Sequence, residues 1–199
     1  LLELAEEIFR PLATVRTKPK DLFRRTCPKI LEVERYARIV APSDMSVLIL
    51  GANGTGKESV AQGIHANSGR DGKFVAVNCG ALPRELAASL LFGHEKGAFT
   101  DARKAKVGRM EVATGGTLFL DEIGNLSLPM QAKLLTAIEK RCISRLGSTQ
   151  TVPIDVRLIC ATNADIRQMV EDGNFRQDLL YRINTIEIHI PPLIYRSEE

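Results

Sequence analysis

The seven residues Gly51-Ala52-Asn53-Gly54-Thr55-Gly56-Lys57 follow directly on the apolar run VLIL and open into ESVAQGIHANS, a stretch with helical periodicity. Strand, glycine-rich turn, lysine and helix in that order describe a loop that holds phosphate. The glycines let backbone N–H groups curl around phosphate oxygens, the helix N-terminus adds the positive end of its dipole, and Lys57 supplies a cation for the terminal phosphates. A merely structural Gly-rich turn would leave the lysine and the immediate helix unexplained. Position 58 is Glu, where such loops commonly carry Ser or Thr. A Mg²⁺ ion therefore loses its usual hydroxyl ligand, and Glu58 would have to serve directly or through water.

A second apolar run, TLFL, ends in Asp121-Glu122. If the two strands share a sheet, both carboxylates stand beside the phosphate loop. Asp121 then suits Mg²⁺, and Glu122, one residue on and turned differently, suits polarising an attacking water as general base. Alone, paired acids at a strand end are more often a cap or a surface feature; beside a phosphate loop they read as the hydrolytic half of a nucleotide site.

These residues need elements to hold them. Five short apolar runs, at 45–50, 74–78, 117–121, 155–162 and 185–190, alternate with helical patterns such as LPMQAKLLTAIEK and NFRQDLLYRI. Continuous rather than alternating hydrophobic strands, separated by helices, predict an α/β fold with a parallel sheet covered on both faces. A further helix is expected from Pro28 to Val40, with Ile30, Val33, Ala37 and Val40 on one stripe. Residues 1–26 read as a connecting helix and linker, and 27–199 as a single domain, which suits a chain of 199 residues given about 150 residues per domain.

The composition sets limits. No apolar run approaches the ~20 residues that span a bilayer, so no membrane partner is expected. A net charge of +3 is too small to argue nucleic-acid binding from charge alone. Cys27, Cys79, Cys142 and Cys160 show no CxxC spacing and no paired histidines nearby, so neither a zinc site nor a disulfide framework is indicated, and a cytoplasmic setting fits. The chain opens LLELAEEIFRPL, without initiator Met or signal-peptide pattern, and reads as an excised fragment.

Four stretches in order and in register carry a resemblance: GANGTGKE, VNCGALPRELAASLLFGHEKGAFTDA, GGTLFLDEIGNLSLPMQAKLL and FRQDLLYRINTIEIHIPPL. Over roughly residues 40–196 the sequence resembles the AAA+ domain of sigma-54-dependent transcription activators, of response-regulator type. That family also carries Glu after the phosphate-loop lysine. The resemblance implies a P-loop NTPase, the large AAA+ subdomain with a five-stranded parallel sheet sandwiched by helices. It implies an ATPase that works as a ring, usually a hexamer, with ATP and Mg²⁺ between subunits, and that remodels RNA polymerase carrying sigma-54.

It also implies roles for residues. Asn78 matches the asparagine that pairs with the catalytic glutamate. Thr162 and Asn163 match the first sensor, where a direct phosphate contact and a plain turn remain equal alternatives. Arg176 and Arg182 match arginine fingers reaching a neighbouring subunit's ATP, a role suited to a planar, permanent cation. GAFTDA, residues 97–102, matches the loop inserted into the sigma factor, with Phe99 and Thr100 as contact points. Asp101 stands where the family has a second Gly, which bears on sigma engagement more than on ATP hydrolysis. Leu90 and Ile194 depart from the family's Glu and Arg. Lys96, Arg103, Lys104, Lys106 and Arg109 flank the loop as a basic cluster facing solvent, polymerase or DNA. The family's helical lid and DNA-binding domain would follow this chain, so DNA contact is expected only through a C-terminal domain outside it. An N-terminal regulatory domain, in this family often a phosphorylatable receiver, is expected before it. A second reading, which Asp101 supports, is an ATP-binding regulator of the same family that acts without sigma-54.

Overall fold

The computed structural model describes residues 28–81, 84–99 and 102–192. The expected linker at 1–26, Thr100, Asp101 and Ile194 lie outside the described residues. Helix α1 (Pro28–Val40) covers the residues expected of it. Strand β1 (Val47–Leu50) leads through the phosphate loop into α2 (Lys57–Ala66), and β2 (Phe74–Asn78) into a 3-10 turn, Cys79–Ala81. Next come α3 (Arg84–Phe92), the short pair β3 (Gly93–His94) and β4 (Lys106–Val107), and α4 (Arg109–Val112). Strand β5 (Thr117–Asp121) ends in a second 3-10 turn, Ile123–Asn125, before α5 (Leu128–Lys140). A hairpin of β6 (Cys142–Ser144) and β7 (Thr151–Pro153) precedes β8 (Arg157–Thr162), α6 (Ile166–Glu171), α7 (Gln177–Ile183) and β9 (Ile186–His189).

Five strands form one parallel sheet in the order β2-β5-β8-β1-β9. All five correspond to the apolar runs, each trimmed by no more than two residues at either end. Because successive side chains point to opposite faces, each strand feeds two cores. Leu48, Val77, Leu118, Leu120, Leu158 and Cys160 face one side, with α3, α5 and α7. Val47, Ile49, Phe119, Ile159, Ala161 and Ile188 face the other, with α1 and α2. Fully burying each such aliphatic side chain contributes about 1.5–3 kcal/mol, which explains why these runs are continuous in the sequence.

A buried charge in β8 breaks the apolar rule. Arg157 is 1% exposed and donates its guanidinium to the carbonyls of Ala41 and, at 3.0 Å, Val40. It thereby caps the C-terminus of α1, whose last carbonyls have no intrahelical donor. Strand order reverses between β8 and β1, since α2 packs on one face and α6 and α7 on the other. Ligands of open α/β sheets bind beyond the strand C-termini at such a switch point, and this is where the chemical groups gather.

Candidate functional site

The phosphate loop starts on a strand end that is fixed on both sides. Leu50 pairs with Thr162 of β8, and the Gly51 N–H donates to the Thr162 carbonyl at 3.3 Å. Gly54 and Gly56 hold φ of 75° and 90°, a left-handed backbone that strains any residue with a Cβ. The Thr55 hydroxyl is buried and donates to the Ala52 carbonyl at 2.8 Å, closing the loop on itself. Lys57 opens α2 with Gly56 as its cap. Its ammonium is 6% exposed, donates to the Gly51 carbonyl at 3.1 Å and the Ala52 carbonyl at 3.5 Å, and lies 3.3 Å from Glu122 Oε1. Asn53 and Gly54 are exposed at the loop's crest.

Asp121 ends β5 and Glu122 follows it as the cap of the next turn. The Asp121 carboxylate accepts the Glu122 N–H at 3.0 Å. Partial burial holds its pKa above the ordinary carboxylate value; Lys57 and that N–H work against the shift, whereas Glu122 and Glu58 add to it. Glu122 adopts φ 51° and ψ 49°, a conformation that costs a non-glycine residue about 1–2 kcal/mol. The kink turns the Glu122 side chain away from the direction of Asp121 and toward two partners. One oxygen meets Lys57, and the other accepts the Asn163 N–H at 3.4 Å. Strain at a carboxylate held between a phosphate-loop lysine and the end of β8 is typical of a functional position.

Thr162 is buried and its hydroxyl accepts the Ala164 N–H at 3.1 Å, while the Asn163 side chain is exposed. Asn78 sits beside Asp121 in the β2–β5 register. Its carboxamide oxygen caps the following turn, accepting from the N–H groups of Gly80 at 2.9 Å and Ala81 at 3.2 Å. The Asn78–Glu122 pair that the resemblance implies is not made in this conformation, because the left-handed turn at Glu122 sends its carboxylate to Lys57. Glu58 is exposed and accepts from Gln62 one turn on, at 3.2 Å.

The expected helix NFRQDLLYRI starts three residues late. The Asn174 and Phe175 N–H groups donate to the Met169 carbonyl and so close α6, and Arg176 becomes the cap of α7. Arg176 makes a two-point contact with Asp178 at 3.0 and 2.6 Å. Arg182, in the last turn, lines a crevice with Asp44, Arg70 and Arg157 toward the other end of the sheet. Both arginines are exposed, and neither joins the Lys57–Glu122 cluster.

The loop between β3 and β4 rests on a buried histidine. His94 Nε2 lies 3.0 Å from the Lys104 carbonyl, which accepts only if that nitrogen carries the proton; in the neutral ring Nδ1 then accepts the Ser89 hydroxyl at 2.7 Å. Phe99 is 39% exposed, with its ring T-shaped against His94 at 5.0 Å. The Gly97 and Ala102 N–H groups donate to the Ala102 and Phe99 carbonyls, pinching the loop. Ser89, His94 and Glu95 lie in a stretch that carries the family resemblance, whereas Glu111 and Arg145, which also fasten the loop, belong to no motif. Arg145, on the β6–β7 hairpin, makes a two-point contact with Glu111 at 3.1 and 2.7 Å and reaches Glu95 at 3.0 Å. Their separations of 34 and 50 positions give no local period that would have shown them.

The chemical groups suit a polyphosphate. The first N–H groups of α2 lack intrahelical partners by geometry, and a Cβ placed on Gly54 would meet nothing within 4 Å. Among the described residues no three His, Cys, Asp or Glu side chains are gathered to cage a metal. An ion here would take few protein ligands, as Mg²⁺ does when phosphates and waters complete its shell. No described helix is long and apolar enough to cross a membrane.

Comparison with known proteins agrees with this geometry. Residues 23–189 match the family model described as the Sigma-54 interaction domain. The chain is 52% identical over 175 residues to the Nif-specific regulatory protein of Azospirillum brasilense, covering 87% of this chain and 28% of that protein. It is 56% identical over 167 residues to the sigma54-dependent transcriptional activator SfnR of Pseudomonas putida, covering 83% and 46%. Both relatives are thus more than twice as long as the matched region. NtrX from Brucella abortus in complex with ATP superposes with a TM-score of 0.82 at 33% identity, covering 99% of this chain and 43% of that one. The P-loop NTPase domain of a sigma-54 transport activator from E. coli shares the fold, with a TM-score of 0.56 at 21% identity, covering 82% and 95%. With the family model spanning most of its length and the phosphate loop, acidic strand end and parallel sheet all in their places, the chain belongs to the sigma-54 interaction domain family.

Proposed function

We propose that this domain is the ATP-hydrolysing core of a sigma-54-dependent transcription activator, which remodels RNA polymerase at closed promoter complexes. The observation that carries the reading is the Lys57–Glu122 contact at 3.3 Å, with Asp121 and the end of β8 beside it. ATP and Mg²⁺ would supply the phosphoryl group to be transferred and the charge that neutralises it. Residues 51–57 would wrap the phosphates, Lys57 exchanging its carbonyl contacts for phosphate oxygens. Asp121, with Glu58 at one remove, would hold the Mg²⁺. Its pKa, raised first by burial and further by Glu122 and Glu58, fits a site where a bound cation would offset the cost of an ionised carboxylate. Glu122, once released from Lys57, would take a proton from the attacking water. Asn78 would receive Glu122 in another nucleotide state, and Thr162 and Asn163 would register the terminal phosphate.

Arg176 and Arg182 would serve a neighbouring subunit in a ring of copies of this chain, which accords with their exposure and their distance from the local cluster. ATP in the related NtrX structure supports nucleotide binding here. Phe99 and Thr100 would meet sigma-54, with DNA held by another domain, in the cytoplasm. Asp101, in place of the family's glycine, favours a second reading, an ATP-dependent regulator that acts without sigma-54. A promoter-opening assay with sigma-54 polymerase separates the two. Opening that needs hydrolysable ATP supports remodelling. ATP turnover with no opening, by the parent and by Asp101→Gly alike, leaves the regulator.

A further inference from the structure

Gln131 is 0% exposed, an unusual position for an amide side chain. It lies in the first turn of α5 and spends its polar atoms on backbone alone. Nε2 donates to the carbonyls of Leu126 at 2.7 Å and Asn174 at 3.1 Å, and Oε1 accepts the Arg176 N–H at 2.8 Å. Both amide hydrogens and one lone pair are therefore used.

The three partners belong to two segments. Leu126 closes the turn that Glu122 opens, since the Asn125 N–H donates to the Glu122 carbonyl at 3.0 Å and the Leu126 N–H to the Ile123 carbonyl at 3.2 Å. Asn174 and Arg176 flank Phe175, which anchors that segment in the core at 2% exposure. One amide thus joins the turn bearing the candidate general base to the cap that aims Arg176. Packing alone would be met by Met or Leu; three bonds to these backbone groups fix a distance and an angle.

We infer that Gln131 is a positioning residue that holds Arg176 in fixed relation to the Glu122 turn. Movement of that turn at a subunit's own nucleotide then reaches the arginine it offers to its neighbour. The inference rests on the ATPase reading above and adds to it a route between adjacent sites.

Gln131→Met keeps the volume and removes all three bonds. In protein that assembles like the parent, it should lower kcat roughly 10- to 100-fold, the effect of misplacing a catalytic group by about an ångström, with KM for ATP changed less than about twofold. Combined with Arg176→Ala it should slow turnover little beyond Arg176→Ala alone, because both changes remove one function. A purely structural role would instead give multiplying losses. Unchanged kcat in Gln131→Met, or fully multiplying losses, overturns the inference while the ATPase reading stands. Absence of turnover in the assembled parent overturns the ATPase reading itself. Should Gln131→Met fail to melt cooperatively, Gln131→Glu takes its place, since its Oε1 still accepts the Arg176 N–H. It should then keep more of kcat than Arg176→Ala does, and an equal loss overturns the inference.

Discussion

The strand-end cluster and the loop between β3 and β4 are built by different means. In the cluster Asn78, Asp121, Glu122, Thr162 and Asn163 stand within one residue of a strand of the central sheet, and the phosphate loop springs directly from the end of another. Leu50 is registered to Thr162 and Asn78 to Asp121, and both cores of the sheet lie beneath them. The loop stands on a ladder of two residue pairs, Gly93 with Val107 and His94 with Lys106, and Val107 is 48% exposed. Its further ties include the His94 hydrogen bonds, the Phe99 edge contact, the Arg145 fork and backbone bonds that join Gly93 and Glu95 to Leu146 of the hairpin. Opening the cluster would disturb the whole sheet, whereas opening the loop exposes little apolar surface and breaks a handful of polar contacts. The fold thus gives the strand-end cluster a rigid frame and the loop between β3 and β4 a set of latches that can be released one at a time.

The largest expected effects fall in the cluster. Lys57→Ala should abolish nucleotide binding, measured by titration of a fluorescent ATP analogue, because the phosphates lose their cation. Glu122→Gln should still bind ATP but turn it over about 100- to 10,000-fold more slowly, the range for loss of a general base. Thr100→Ala and Phe99→Ala in the loop should leave turnover nearly intact while removing sigma-54 capture. Equal loss of binding in Lys57→Ala and Glu122→Gln would break the division of labour assigned within the cluster.

Next in size come the arginines, which ask whether the cluster is complete within one subunit. Arg176→Ala and Arg182→Ala should bind ATP normally and hydrolyse it about 1,000-fold more slowly, as loss of an arginine finger does. Mixing either with Glu122→Gln subunits should restore part of the turnover, since some interfaces then join a sound arginine to a sound glutamate. No restoration at any ratio, in protein shown to form rings, would argue that the arginines act within their own subunit.

The same contrast decides what the sequence disclosed. Strands buried on both faces must be apolar throughout, so the five runs stood out, and the phosphate loop and Asp121-Glu122 were visible because their spacing is local. The latches were not. Arg145 reaches Glu111 and Glu95 across 34 and 50 positions, and Gln131 reaches Asn174 across 43. Bonds between groups so far apart in the chain leave no period and no preferred neighbour in the sequence. The left-handed turn at Glu122 was equally hidden, since Glu has no propensity for it and the surrounding contacts impose it.

Asp121 gives a smaller effect, visible in stability. Burial raises its pKa in the fold, so its ionised form is less welcome in the folded protein than in the unfolded chain. The stabilisation of the protonated carboxyl is complete below the ordinary carboxylate value and is lost as pH rises through the raised one. Without nucleotide, Asp121→Asn should therefore melt at or above the parent's temperature near neutral pH, and the difference should vanish in acid. Its Mg²⁺-dependent turnover should fall all the same. A variant that melts lower at neutral pH than in acid, relative to the parent, would mean that ionised Asp121 supports the fold.

The smallest change tests the latches. Gly147, at the tip between β6 and β7, has φ 77°, and a Cβ there would come within 2.9 Å of the Ala98 Cβ. Gly54 in the phosphate loop has a similar φ of 75°, yet its added Cβ meets nothing. Gly54→Ala and Gly147→Ala should each cost about 1 kcal/mol from the left-handed backbone. That lowers Tm by about 2–4 °C for a domain of this size. Their other consequences should differ. Gly54→Ala places a methyl group where phosphate must approach and should weaken ATP binding without touching the loop. Gly147→Ala pushes Ala98 outward, so amide exchange at Gly97 and Ala102, whose N–H groups pinch the loop, should quicken while ATP binding stays unchanged. Exchange confined to the hairpin, with Gly97 and Ala102 as protected as in the parent, would show that the loop holds its place without the hairpin tip. The fastening would then rest with His94, the Arg145 fork and the backbone bonds of Leu146 to Gly93 and Glu95.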